Sequence, residues 1–117
     1  MTVDLADFSS LIASVDENNV FQRQTTITSR MRLTLINSTV LYVRVNHVTD
    51  TGWIDYSYHW QSLNHQLIIR WDNAHDYPDL ETSPYHQHVG SEENVQPSEP
   101  MTLEKVLEHI AEQLSPH

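Results

Sequence analysis

The chain has 117 residues, contains no cysteine and carries a formal net charge of −10. Its length suits one domain with a modest core, and the lack of cysteine excludes disulfides, thiolate zinc sites and cysteine nucleophiles. The first residues show neither the basic start nor the apolar run of a signal peptide, and no apolar stretch reaches membrane-spanning length. We therefore expect a soluble, cytoplasmic protein with one domain over residues 1–117.

Positive charge is distributed unevenly along the chain. Residues 21–70 hold five arginines and two aspartates, whereas residues 71–117 hold ten acids and one lysine. This asymmetry fits either a basic binding surface with acidic cover or acidic helices around a sheet.

The N-terminal segment has apolar residues at helical spacing, namely Leu5, Phe8, Ile12 and Val15. They predict a short amphipathic helix over residues 3–15, which the polar residues 16–19 would end.

Residues 20–71 instead alternate between apolar and polar side chains, as strands do. Turn-forming residues divide this region into four strands, predicted over residues 27–35, 39–45, 53–60 and 66–71. The short connections imply an antiparallel meander, because parallel pairing needs long crossovers.

The remaining chain is predicted as a histidine-rich loop over residues 72–90, a linker over 91–101 and a helix over 102–114. A short edge strand near Val89 or Val95 is an alternative within the loop and linker. Thr102 is the predicted N-cap of the helix, whose apolar stripe needs a surface to cover. The predicted fold is therefore α+β: a four- to five-stranded antiparallel meander sheet, an N-terminal helix, and a C-terminal amphipathic helix packed on the sheet.

The segment from Arg70 to His88 has the highest density of reactive groups in the chain. His86 and His88 would share one face of an extended segment, where a neutral and a protonated imidazole can act as base and acid on RNA. The guanidinium of Arg70 suits a phosphate. The candidate catalytic residues are His86, His88, Arg70 and His75. The candidate substrate-binding residues are Asp72, Asn73, Tyr58 and His59, and the aromatic side chains of the third strand offer stacking faces for bases.

The same histidines also permit a metal site. His86 and His88, with His75 or Asp72 added, can bind a divalent cation of the zinc, nickel or copper type. No defined metal-binding motif supports this alternative, so we expect no cofactor. If a metal is bound, the expected ligands are His75, His86 and His88.

Five runs in the second half of the chain occur in a characteristic order: Tyr56-Ser-Tyr-His-Trp60, Leu67-Ile-Ile-Arg-Trp-Asp-Asn-Ala-His75, Pro84-Tyr-His-Gln-His88, Val95-Gln-Pro-Ser98 and Leu103-Glu-Lys-Val-Leu107. In these runs the chain resembles the TumE-type toxins of bacterial and archaeal toxin–antitoxin pairs. The family pattern has two adjacent histidines where this chain has His75-Asp76, and a lysine where it has Gln87.

The resemblance implies a toxin-like component of a type II toxin–antitoxin pair, with a cognate antitoxin of the helix-turn-helix type as partner. By analogy with other small toxins, we expect a metal-independent ribonuclease that uses histidine acid–base chemistry, with RNA as its substrate. The alternatives are a non-catalytic protein-interaction module and a metal-binding regulatory module. The sequence leaves the oligomeric state open, a homo-oligomer included, and gives no reason to expect a membrane partner.

Overall fold

The structure is a computed structural model that describes residues 4–114. It consists of a 3-10 turn, a seven-stranded sheet and a C-terminal helix. The 3-10 turn spans Leu5–Phe8. The strands are β1 (Ile12–Arg23), β2 (Thr26–Leu35), β3 (Val40–Val48), β4 (Trp53–Gln61), β5 (Leu67–Asp72), β6 (His86–Val89) and β7 (Val95–Pro97), and the helix is α1 (Leu103–Leu114).

The sheet is a meander in which every strand pairs antiparallel with the next one in the chain. Successive side chains of a strand point to opposite faces, and cross-strand partners share a face. The pairs Arg30 with Arg44, Arg44 with Ser57, and Ser57 with Asp72 therefore mark one continuous face. We call it the open face, and its opposite the helix-covered face.

The core lies between the helix-covered face and α1. Buried aliphatic and aromatic side chains of β2 to β5 pack there against three buried residues of the helix, Val106, Leu107 and Ile110. The side-chain oxygen of Thr102 accepts a hydrogen bond from the backbone N–H of Lys105 at 3.2 Å, as the side chain of an N-cap residue does. The predicted C-terminal helix, its apolar stripe and the α+β architecture are thus confirmed.

The prediction of an N-terminal helix was wrong. Only Leu5–Phe8 is helical, as a single 3-10 turn, and Ile12–Arg23 is strand β1. The backbone of β1 pairs with β2 from Ile12 with Leu35 to Arg23 with Thr26, and this pairing satisfies the peptide groups that a helix would have used. The predicted start at residue 3 lies outside the described residues.

The predicted number of strands was also too small. The sheet has seven strands because β1 precedes the four predicted ones and two short strands, β6 and β7, follow them. The alternative of a short edge strand near Val89 or Val95 is closer to the structure: strands form at both positions, and β7 is the edge of the sheet. Between β5 and β6 the chain forms successive turns, closed by bonds such as that from the Tyr77 N–H to the Ser83 hydroxyl at 2.9 Å.

No helix within residues 4–114 is long and apolar enough to cross a membrane.

Candidate functional site

The sheet register brings the two halves of the reactive segment side by side. Arg70 and Asp72 of β5 lie opposite His88 and His86 of β6, respectively. All four belong to the open face, because Asp72 pairs with Ser57 on its other side. The pairing of two short strands thus gathers side chains that lie up to eighteen positions apart in the sequence.

The carboxylate of Asp72 is the centre of this cluster. Its Oδ2 accepts from Arg70 Nε at 3.1 Å, and its Oδ1 accepts from the backbone N–H of Ala74 at 3.2 Å. Oδ1 also lies 2.8 Å from Nε2 of His86, and Oδ2 lies 3.8 Å from Nε2 of His88. Because Asp72 is itself buried, the hydrogen bonds from Arg70 and Ala74 stand in for water that a carboxylate normally binds.

Both imidazoles of the cluster are buried, with His86 0% and His88 4% exposed. Nδ1 of His86 lies 2.8 Å from the carbonyl oxygen of Pro84, and Nδ1 of His88 lies 2.7 Å from the carbonyl oxygen of Glu92. A carbonyl only accepts, so each Nδ1 carries the hydrogen and donates it. The ring of Tyr77 covers His86 at a centroid distance of 4.4 Å. The loops before and after β6 therefore close over this part of the open face.

Arg70 links the cluster to the surface. Its Nη1 binds the carboxylate of Glu92 at 2.6 Å, while its Nε binds Asp72. Burial disfavours the charge, but the hydrogen bonds to Glu92 and Asp72 outweigh that effect and raise the pKa of Arg70. Two of the five N–H donors of the guanidinium take part in these contacts. Glu92 was not among the predicted site residues, because no strand pattern placed it beside Arg70.

His59 of β4 is the cross-strand partner of Arg70. Its ring is half-buried and meets the ring of Tyr42 edge-on at 6.3 Å. Burial, followed by the positive charge of Arg70, lowers the pKa of His59, while Glu92 and Gln61 act in the opposite direction. The lowered pKa of His59 favours the neutral imidazole, and the ring retains access to solvent.

The other predicted site residues lie outside this cluster. Asn73 is buried and joins β5 to β4, because its side chain accepts from the Tyr56 N–H and donates to the Ile54 carbonyl, each at 2.9 Å. Tyr58 lies on the helix-covered face, where burial raises its pKa to about 12. His75 is exposed in the loop after β5.

The open face gathers every arginine of the chain. Each arginine pairs in register with a residue already placed on that face; they are Arg23, Arg30, Arg32, Arg44 and Arg70. Three exposed aromatic side chains share the face by the same register: Phe21, Tyr42 and Trp53. Arg30 lies over the ring of Phe21 at 5.7 Å, and Arg30, Tyr42 and Arg44 line a shallow depression of about 290 Å³.

The aromatic residues predicted to stack on bases lie elsewhere. Tyr56, Tyr58 and Trp60 are buried on the helix-covered face and belong to the core. Tyr42 and Trp53 could have been found from the sequence by carrying the parity of Arg30 from one strand to the next. Phe21 could not, because it precedes the first predicted strand, residues 27–35, and no strand parity could be carried to it.

Carboxylates on the open face offset part of its positive charge. They are Asp16, Glu17, Asp55 and Asp72. Hydrogen bonds from Thr34 and then Ser14 lower the pKa of Asp16, and Asn46 donates to Asp55 at 2.8 Å. The face is thus close to neutral, whereas the whole chain carries −10, so the excess of acidic groups lies elsewhere on the molecule.

Two histidines and one aspartate of the cluster can act as metal ligands. Asp72, His86 and His88 each offer an atom, and these three atoms lie within 4.8 Å of one another. His75, which the sequence-based ligand set included, is not part of this group. Asp72 takes its place.

Comparison with curated proteins and comparison with solved structures each give no match to this chain. A protein-family model described as Toxin TumE matches residues 2–114, nearly the whole chain. The resemblance noted in the second half of the sequence therefore extends to the N-terminal strands, and the chain belongs to the TumE toxin family.

Proposed function

We propose that this protein is the toxin of a type II toxin–antitoxin pair and that it binds and cleaves single-stranded RNA on the open face of its sheet. Membership of the TumE toxin family supports a toxin-like role in a toxin–antitoxin system. The observation that carries the choice of RNA is the open face itself, which all five arginines share with three exposed aromatic rings.

The two kinds of side chain suit the two parts of a nucleotide. Arginine pairs with phosphate, and an exposed ring stacks on an unpaired base, which contributes about 1–3 kcal/mol per base. Elsewhere on the molecule the excess of acidic groups repels a polyanion. The open face is therefore the surface on which we place the RNA.

For the reaction we propose histidine acid–base chemistry next to Arg70. The 2′-oxygen of a ribose attacks the adjacent phosphorus, its proton passes to neutral His59, and the bond from phosphorus to the 5′-oxygen breaks. A proton donor must then protonate the leaving 5′-oxygen, and exposed His75 is a candidate for that role. The donors of Arg70 that Asp72 and Glu92 leave available would bind the phosphate oxygens.

His86 and His88 remain candidates for the acid and the base. Both are buried, and the ring of Tyr77 covers His86, whereas His59 is half-buried and faces the open side of the sheet. We therefore assign the first proton transfer to His59.

A cognate antitoxin completes the proposal. We expect a small helix-turn-helix protein encoded beside the toxin, which silences it by direct binding. Coexpression with the neighbouring gene product and recovery of a stable complex would test this partner.

RNA binding is tested by replacing two exposed arginines of the central strands, Arg30→Gln with Arg44→Gln. On a single strand each phosphate contact contributes about 0.7 to the slope of log affinity against log salt, so the double variant should bind a fluorescent single-stranded RNA more weakly, with a slope smaller by about 1.4. Lys105→Gln removes one positive charge from α1 on the other side of the sheet and should leave binding unchanged. Equal affinity and slope in the wild type and the double variant would contradict the proposed surface.

Cleavage is tested with the purified protein and a mixed single-stranded RNA, with and without a chelator. His59→Gln should reduce the cleavage rate by at least about 100-fold, since general acid–base catalysis contributes that much. His47→Gln, at an exposed position on the other face, is the matched control. If the wild-type protein does not cut RNA but still binds its antitoxin, the chain is an interaction module. Loss of cutting in the chelator would assign the reaction to a metal.

A further inference from the structure

We infer that Asp72, His86 and His88 form a binding site for one divalent transition-metal cation of the zinc type. The inference does not depend on RNA cleavage, because it rests on the hydrogen bonding and burial of these three side chains. Of the two third ligands that the sequence left open, His75 and Asp72, the geometry selects Asp72 on the neighbouring strand.

The first observation concerns Nε2 of His86. Since Nδ1 donates to the Pro84 carbonyl, Nε2 of the neutral ring carries a lone pair. Nε2 lies 2.8 Å from Oδ1 of Asp72, which is also an acceptor. The contact is short but lacks the direction of a hydrogen bond, and Nε2 has no hydrogen-bond partner among residues 4–114. A fully buried polar atom without a partner is costly, so a positively charged species belongs between the two groups.

The second observation is that His88 repeats the arrangement. Its Nδ1 donates to the Glu92 carbonyl, which leaves a lone pair on Nε2, and this atom faces the other oxygen of Asp72 at 3.8 Å. Two lone pairs and one carboxylate therefore converge. A single proton can lie between Asp72 and only one of the two Nε2 atoms, whereas one metal ion can bind both Nε2 atoms and the carboxylate.

The separations fit a metal of this kind. Ligand atoms bound tetrahedrally at about 2.0–2.1 Å stand about 3.3 Å apart. The distances from Asp72 to the two Nε2 atoms, 2.8 and 3.8 Å, fall on either side of that value, and all three ligand atoms lie within 4.8 Å of one another. Shifts of about 1 Å or less in side chains would bring them into place.

The surroundings resemble the outer shell that metal sites require. A ligating histidine usually donates its other N–H to a carbonyl or carboxylate, which fixes the ring, and a ligating carboxylate is itself hydrogen-bonded. Pro84 and Glu92 supply the carbonyls, and Arg70 with the backbone of Ala74 holds Asp72. The positive charge of Arg70 opposes a cation, but the Glu92 carboxylate at 2.6 Å offsets it.

The donor set narrows the choice of metal. Two imidazole nitrogens and one carboxylate oxygen suit zinc, cobalt, nickel or copper, whereas magnesium and calcium prefer oxygen ligands throughout. Three protein ligands leave one coordination position of a tetrahedral ion for water or a substrate oxygen.

The test uses the full-length protein, stripped of metal by a chelator and then titrated with Zn²⁺ alone by calorimetry. We expect one tight site per chain. A second titration with Co²⁺ should give the visible absorption of a tetrahedral site with nitrogen and oxygen ligands. Asp72→Asn and His88→Gln keep the approximate shape of each side chain and should each weaken Zn²⁺ binding at least about 10-fold.

Two further variants separate this site from the other histidines. His75→Ala should bind Zn²⁺ as the wild type does; a loss as large as that of His88→Gln would overturn the proposed ligand set. His47→Ala, at an exposed position, controls for adventitious binding by a surface imidazole. Circular dichroism establishes that each variant is folded before its affinity is compared. If the folded wild type shows no stoichiometric Zn²⁺ or Co²⁺ binding, or if His47→Ala loses as much as Asp72→Asn, the site does not exist.

Discussion

The histidines around β5 differ mainly in how much water each one meets. His86 and His88 are buried, His59 is half-buried and His75 is exposed. One residue type is therefore suited to different chemistry: a buried lone pair favours a fixed cation, whereas a half-buried neutral ring can exchange protons with a substrate. The sequence could single out these imidazoles as candidates, but not their burial, because the residues that cover them belong to loops.

Tyr58 gives a pH dependence at the scale of one residue. Burial raises its pKa to about 12, with a smaller contribution from Tyr56, whereas a tyrosine in the unfolded chain ionises near 10. The stability that Tyr58 contributes is fully present below about pH 10 and is lost as the pH rises through about 12. We expect the free energy of unfolding to fall over that interval by about 2 kcal/mol because of this group.

Urea unfolding at a series of pH values between about 9 and about 12 measures this effect. Tyr58→Phe should show a shallower decline than the wild type. Tyr42→Phe, which removes the same hydroxyl at an exposed position, should decline as the wild type does. Parallel curves for the wild type and Tyr58→Phe would show that Tyr58 does not cause the alkaline loss.

Among the elements, β1 shows most clearly where sequence patterns fail. A strand that is exposed on both faces needs no alternation of apolar residues, and nearly every residue of β1 is exposed. The apolar residues at its start happened to continue the helical spacing of Leu5 and Phe8. Strands β6 and β7 escaped a firm prediction for a different reason, since they are only four and three residues long, the buried side chains of β6 are histidines, and no side chain of β7 is buried.

Helix α1 was predicted correctly because its local and long-range signals agree. It begins after a capping residue, and its apolar stripe meets the buried face of the sheet. Thr102→Ala should lower the free energy of unfolding by about 1 kcal/mol, because the Lys105 N–H loses its partner. Thr102→Ser keeps the accepting oxygen and should remain close to the wild type in urea unfolding. Equal losses in both variants would indicate that the methyl group, not the cap, stabilises the helix.

At the scale of the whole molecule, the sheet separates two environments. The helix-covered face buries Tyr56, Tyr58 and Trp60 of β4, and the open face carries the arginines and the exposed rings. The excess of arginine between residues 21 and 70 was visible in the sequence, but only the strand register shows that these side chains share one face. Strands β2 to β5 were predicted nearly in full, because apolar and polar side chains alternate regularly along them.

Helix α1 covers only one end of the helix-covered face of the sheet. Leu33 and Leu41 lie under it and are fully buried, whereas Val20 and Ile54, on the same face near the tip of the first hairpins, are 66% and 48% exposed. Stability in such a sheet is graded along each strand. Within β2, amide hydrogens near Thr28 should exchange with deuterated water well before those near Leu33, although β1 and β3 flank both positions. Equal exchange rates along β2 would contradict this prediction. The expected gradient means that the hairpin tips can open while the helix-covered half of the sheet stays folded.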